Sequence, residues 1–270
     1  MFKEENITFY CLSNGKVEQK RDFVAEEALL HIFLNQIHYM TILCSPGQLR
    51  ELAVGHLLSE GVLRSIDEIH EIHINADGRC RIRLRPDIDA KKRIPISQPF
   101  SRLITSACGS PNSWPLSKLV DRLHLAKIPL NMKVEARVVS DSVKRLSSLA
   151  ETYRKTGGVH IATLCSEDCN LIACAEDVKR HNAVDKVIGA GALRREDFKK
   201  CFLVSSGRLS GDMVLKLARV GIPLVASVAT VTSSGIEVAR STGVTLIGFV
   251  RDDRMSIFVH PERIIFATEE

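Results

Sequence analysis

Among the residues able to do chemistry, Cys108 stands first, at the centre of ITSACGSPNSW, residues 104–114. Gly109 and Pro111 follow it closely, so the thiol is expected on an irregular loop rather than inside a regular element. Packing is the usual fate of a cysteine; a nucleophilic one needs exposure and nearby positive charge that favours the thiolate. Arg102, the run Lys91, Lys92 and Arg93, and Arg83 and Arg85 further back are the candidates to supply that charge.

A second group of residues suits anions. In FVRDDR, residues 249–254, Arg251 and Arg254 fall at the carboxyl end of an apolar run, where guanidinium groups can fork onto phosphate oxygens. The competing reading is a charged surface turn in which Asp252 and Asp253 pair with both arginines. SSGRLSGDMVLK, residues 205–216, passes from an expected strand through Ser206, Gly207 and Arg208 into a helix whose first-turn N–H groups favour negative charge. No Walker or G-x-G-x-x-G pattern accompanies it, and an ordinary capped helix explains it nearly as well. Together these loops describe a groove suited to a phosphorylated ligand.

Other clusters have plainer readings. EDVKRHNAVDK, residues 176–186, sets His181 and Asp185 four apart on one helical face; a solvated face with an ion pair competes with a buried polar cluster. A deaminase-type zinc site would need a His or Cys just ahead of a catalytic Glu and a P-C-x-x-C pair, and neither occurs here. Cys165, Cys169 and Cys174 read as small buried thiols rather than metal ligands, and His70 and His73 as outward residues of a strand without a third ligand.

These residues require a scaffold, and the grammar of the chain changes along its length. Residues 7–44 run apolar in short pieces (ITFYCL, ALLHIFL, IHYMTIL), with Asn35 and Gln36 as a hairpin turn. Ser45 and Pro46 are expected to open a helix that Gly61 stops, and EIHEIHIN, the turn at Gly78 and RCRIRLR form a second hairpin. The first part is therefore predicted as a small antiparallel sheet packed on one helix. After a short helix at 116–123 and a long one at 134–155, apolar strands alternate with helices of about ten residues, which implies a largely parallel sheet covered on both faces. The expected organisation is an α+β domain over residues 1–110, ending in the Cys108 loop, and an α/β domain over 111–270 with three layers. Ligands of such sheets sit beyond the carboxyl ends of the strands.

Bulk composition narrows the classes. The 270 residues, 45% hydrophobic and 26% charged, suit a globular protein. No apolar run reaches about 18 residues and no export signal is evident, so a cytoplasmic, membrane-free protein is expected. Eight cysteines without close pairing read as reduced thiols. A net charge of +5 is too mild to argue for nucleic acid and compatible with an anionic small ligand.

SPGQLRELAVGHLLSEGVL, TSACGS, EDVKRHNAVDK, LVSSGRLS and TLIGFVRDDRMSIFVHPERI together, in this order, resemble the formate dehydrogenase accessory sulfurtransferases, the FdhD/NarQ family. The resemblance implies a homodimeric sulfur carrier that takes persulfide sulfur from a cysteine desulfurase. It would pass that sulfur to molybdenum bis(molybdopterin guanine dinucleotide), with its GDP-like moieties, before the cofactor enters formate dehydrogenase. It also implies a cytidine-deaminase-like carboxyl-terminal α/β/α domain without the zinc site. The family's persulfide cysteine falls on Cys108 and its cofactor-binding segment on Phe249, Val250, Arg251, Asp252, Asp253 and Arg254; Ser206 and Arg208 add candidate donors. Many members carry a second cysteine three positions after the first, where this chain has Pro111. A non-catalytic cofactor-binding chaperone and a metal-dependent nucleobase hydrolase are the alternatives.

Overall fold

The computed structural model describes residues 4–93 and 125–266. The Cys108 loop, Arg102, the helix expected at 116–123 and the 110/111 domain boundary lie outside them.

The chain opens with a ten-residue hairpin pair, β1 (Glu4–Ser13) and β2 (Lys16–Ala25). β2 escapes sequence reading because its first eight residues, KVEQKRDF, are all exposed and so carry no alternation. β3 (Ala28–Leu34) and β4 (Ile37–Cys44) follow, joined at Asn35 and Gln36. Both turn residues have positive φ, 45° and 71°, as a tight hairpin requires. Helix α1 (Leu49–Ser59) precedes β5 (Ile69–Ile74) and β6 (Arg79–Leu84). The four strands pair in the order β4-β3-β6-β5. The expectation of an antiparallel sheet needs correcting, since β3 and β6 are parallel: α1 carries the chain across so that the second hairpin docks beside β3. Ser45 does not cap α1 either. The helix begins after Gln48, and the Ser45 hydroxyl accepts the Val178 N–H at 3.1 Å from the other half of the chain.

Beyond residue 125 comes a short strand, β7 (Val134–Glu135), paired with the terminal β14 (Ile264–Ile265). The long helix expected over 134–155 is two helices, α2 (Ala136–Leu149) and α3 (Glu151–Thr156). The break at Ala150 has a partner: the Glu176 carboxylate accepts the Thr152 and Tyr153 N–H groups at 2.9 and 2.8 Å, capping a new helix start. The rest alternates as β8 (His160–Ser166), β9 (Leu171–Asp177), α4 (Arg180–Leu193), β10 (Cys201–Ser205), α5 (Gly211–Val220), β11 (Leu224–Ser227), α6 (Ser233–Thr242), β12 (Thr245–Arg251) and β13 (Arg254–Val259).

These six strands form one sheet in the order β13-β12-β11-β10-β8-β9. It is less parallel than expected: β10, β11 and β12 are parallel neighbours, whereas β8–β9, β8–β10 and β12–β13 pair antiparallel. The connections β8–β9 and β12–β13 are too short for the crossover a parallel pair needs. One face is covered by α2, with Val139, Val143 and Leu146 against Phe202, Val204 and Ala226. The other is covered by α4, α5 and α6.

Helix α1 lies between the four-stranded sheet and α4, and the buried core runs through all three without a break, from Leu30 and Ile82 through Leu52 to Val187 and Leu203. The α1–α4 crossing is backbone on backbone. A Cβ on Gly55 would stand 1.7 Å from the Asp185 carbonyl oxygen, and one on Gly189 1.9 Å from that of Glu51. No described helix is long and apolar enough to cross a membrane.

Candidate functional site

β9 and β10 are both antiparallel to β8, so the carboxyl ends of β9, β10, β11 and β12 share one edge of the sheet. That edge gathers Lys179, Arg180 and His181 after β9, Ser206 and Arg208 after β10, and the 249–254 turn at the end of β12, with His160 at the start of β8. Backbone and hydroxyl hydrogen bonds lash the loops together. Ser227 Oγ lies 2.8 Å from the carbonyls of both Ser205 and Gly207, and the Ala229 carbonyl accepts the Phe249 N–H at 3.0 Å. The edge is therefore a fixed surface, as expected for a site that holds a ligand by preorganised groups.

The segment expected to bind the cofactor is split between core and surface. Val250 is buried under the sheet, so its side chain is packing. Phe249, half exposed with φ 53°, faces outward and meets the Phe258 ring with centroids 6.3 Å apart. Arg251 and Arg254 stand directly opposite each other across β12 and β13. Neither has an ion-pair partner among the described residues; all four residues of the turn are exposed, so the charged surface turn is there without the expected Asp–Arg pairing. Asp253 pairs instead with Lys144 of α2 at 3.1 Å, and the Asp252 carbonyl accepts the Ser140 hydroxyl.

Ser206 is spoken for locally. Its N–H and Oγ clasp Ile161 at 2.9 and 3.0 Å, latching β10 to β8, and Oγ lies 3.4 Å from His160 Nδ1. Beside it opens a cavity of about 440 Å³ whose wall includes Val143, Leu146, Tyr153, His160, Ser206 and Val228. Arg208 is exposed. The loops expected from strand ends thus do meet; His160 and Arg180, which join them, were not singled out from sequence. Arg180 had a usable signal as the first residue of a helix after an apolar strand. His160, at a strand start, had none.

The solvated-face reading of residues 176–186 is overturned, because that stretch is internal. Asp177 and Lys186, both fully buried, pair at 2.7 Å. Asp177 also accepts from the Ser45 and Lys179 N–H groups and the Asn182 amide. Asp185 accepts from Lys216 Nζ at 3.0 Å and Ser59 Oγ at 2.7 Å and lies 3.2 Å from His56 Nδ1. Burial alone would raise the Asp185 carboxyl; Lys216 and His56 outweigh it and hold it well below the usual carboxylate range. Burial likewise opposes the Lys216 charge, but Asp185 and Glu60 raise its ammonium above its ordinary value. His181 lines the same cavity as Asp185 without pairing with it. It pairs with Asp212, at the start of α5, at 2.8 Å.

Burial pushes the thiols of Cys44, Cys80 and Cys174 up to about 11 and that of Cys201 to about 12, and raises Cys165 as well, so none of the five is a ready thiolate. Of the described cations nominated to serve Cys108, Arg83 pairs with Glu71, Arg85 with Asp87 and Arg93 with Glu68, leaving exposed Lys91 and Lys92 among them. Among the described residues no group of three His, Cys, Asp or Glu is placed to hold a metal ion, and His181 and Asp212, near the starts of α4 and α5, are paired with each other.

The model of the FdhD/NarQ family matches residues 25–265. The chain belongs to the FdhD/NarQ family. Within this FdhD/NarQ family, the sulfur carrier protein FdhD of Methanothermobacter thermautotrophicus is 35% identical over 255 residues, 93% of this chain and 96% of that one. The FdhD of Bacillus licheniformis is 32% identical, with 97% and 99% covered. A crystal structure from Desulfotalea psychrophila, of a protein proposed to be a formate dehydrogenase accessory protein, superposes with a TM-score of 0.79 at 26% identity, covering 97% of this chain and 99% of that one.

Proposed function

We propose that this protein is a sulfur carrier in formate dehydrogenase maturation. Cys108 accepts sulfur from the persulfide of a cysteine desulfurase and hands it to molybdenum bis(molybdopterin guanine dinucleotide) held at the carboxyl ends of the sheet. The relatives named sulfur carrier protein and the accessory-protein structure support this reading across nearly the whole chain. The observation that carries its docking half is the Arg251–Arg254 pair. Like charges directly opposite across two strands repel. A pyrophosphate lying over the hairpin would turn that repulsion into two charge-assisted clamps.

The carrier half rests on Cys108 by resemblance, and burial disfavours the thiolate at five of the seven other cysteines. In loading, the Cys108 thiolate attacks the outer sulfur of the donor persulfide. A new S–S bond forms on Cys108, the donor S–S bond breaks, and the donor cysteine leaves as thiolate. Pro111 stands where a second cysteine could close a disulfide, so release as sulfide takes an outside thiol, which attacks the inner Cys108 sulfur: a mixed disulfide forms, the persulfide S–S bond breaks and hydrosulfide leaves toward the metal. A cytidine-deaminase-like reading of the larger half is supported by its antiparallel edge hairpin ahead of three parallel strands, and a homodimer belongs to the same reading.

Incubation with a desulfurase and cysteine should add one sulfur to the intact mass, absent in Cys108→Ala. No adduct on the wild type removes the carrier role. If Cys108→Ala still supports formate dehydrogenase, the protein is a cofactor-binding chaperone.

A further inference from the structure

We infer that Arg180, Arg208 and His160 form an anion subsite for phosphate groups, set beside the Ser206-lined cavity and separate from the Arg251–Arg254 hairpin. Its assignment to a dinucleotide rests on the proposed function; the anion site itself does not.

Three separate segments bring these side chains together: the first residue of α4, the loop after β10 and the start of β8. The stem of Arg180 lies across Gly207. A Cβ at that glycine would fall 2.8 Å from Arg180 Cβ and 3.1 Å from its Cδ, so the position leaves room for the side chain to cross the loop. Held there, Arg180 has its Nε buried without a hydrogen-bond partner among the described residues. Neither Arg180 nor Arg208 makes an ion pair among the described residues. The nearby acids are already committed, Asp177 to Lys186 and Asp212 to His181 and Ser210.

Positive charge is thus concentrated without compensation. His160 registers it: burial disfavours its imidazolium first, and Arg180, His181 and Arg208 push its protonation further down against a weaker opposing pull from Asp177. Gathering like charges around a half-buried orphan guanidinium is unfavourable, and an incoming anion relieves it. Guanidinium forks match phosphate oxygens in pairs. The adjoining cavity supplies the remainder of a nucleotide site. Val143, Leu146 and Val228 offer an apolar wall for a planar heteroaromatic ring, and His160 and Ser206 connect that wall to the cations.

The test follows the His160 imidazole by NMR pH titration in the full-length protein, with GDP and with inorganic pyrophosphate as separate probes. Binding is measured by calorimetry in wild type, Arg180→Gln and Arg208→Gln. A bound phosphate should raise the His160 pKa, and each substitution should weaken binding about ten-fold and blunt that response, about 1.4 kcal/mol. Arg208 is exposed, so its variant keeps the test open should Arg180→Gln fold poorly. Unchanged GDP affinity in both variants together with a silent His160 overturns the subsite, even where Cys108 loads sulfur normally. Pyrophosphate that moves His160 without any binding of GDP upholds the subsite and sinks the dinucleotide reading instead.

Discussion

At the residue scale, what distinguishes this chain is how much charge it keeps inside. Lys216 is 7% exposed and meets Asp185, itself 1% exposed, and Glu60 at 2.8 Å, while Arg219 also reaches Glu60. Removing one member of such a cluster leaves an uncompensated buried charge. Lys216→Met is expected to cost about 3–5 kcal/mol, and pairing it with Asp185→Asn less than the sum of the two, as read from urea midpoints. The pH sign follows from the shifts. Asp185 lies below its ordinary value of 3.8, so its contribution is complete above that value and is lost as pH falls through the depressed one. Lys216 lies above 10.5, so its contribution is complete below 10.5 and is lost as pH rises through the raised value. Asp185→Asn should therefore flatten the acid limb of the stability–pH curve. Along the chain EDVKRHNAVDK fits a wet surface helix or a buried polar cluster, and its partners Ser45, His56, Ser59 and Lys216 decide for the interior.

At the element scale, the α1–α4 crossing sets how the small sheet meets the large one. Gly55→Ala would press a methyl into the Asp185 carbonyl, with helix backbone rather than a movable side chain on the far side. The helices must separate, at a cost of about 3 kcal/mol. A fall of about 6–12 °C in the thermal midpoint is the corresponding measurement. Several elements were plain in the sequence because a local signal specifies them. Helix α5 stops at Gly221 and α6 at Gly243, both with positive φ, and Asn35 and Gln36 turn β3 into β4. The failures share another cause. β2 has no buried face to impose a period, and the break between α2 and α3 depends on Glu176, a residue of another strand.

At the scale of the whole molecule, the continuous core from Leu30 through Leu52 and Val187 to Leu203 joins the two sheets. A core shared in this way predicts one cooperative unfolding transition, with far-ultraviolet circular dichroism and the amide hydrogen-exchange midpoints of the two sheets coinciding in urea. Two separated transitions would mean that each half holds itself together. The carboxyl-edge groove is likewise a property of the assembled sheet, since His160, Arg180, Arg208 and Arg251 come from four segments that no local rule brings together.

By itself the sequence determined most of the order of elements, the strand ends whose loops meet at one edge, and, through ordered motifs spread over nearly the whole chain, the family. Those are matters of local period, turn chemistry and residue identity, which a linear reading holds. Tertiary structure alone decided strand direction, the interior placement of residues 176–186, and which cations stand without a partner. Each of these depends on groups far apart in the chain, and burial or pairing exists only once both are in place.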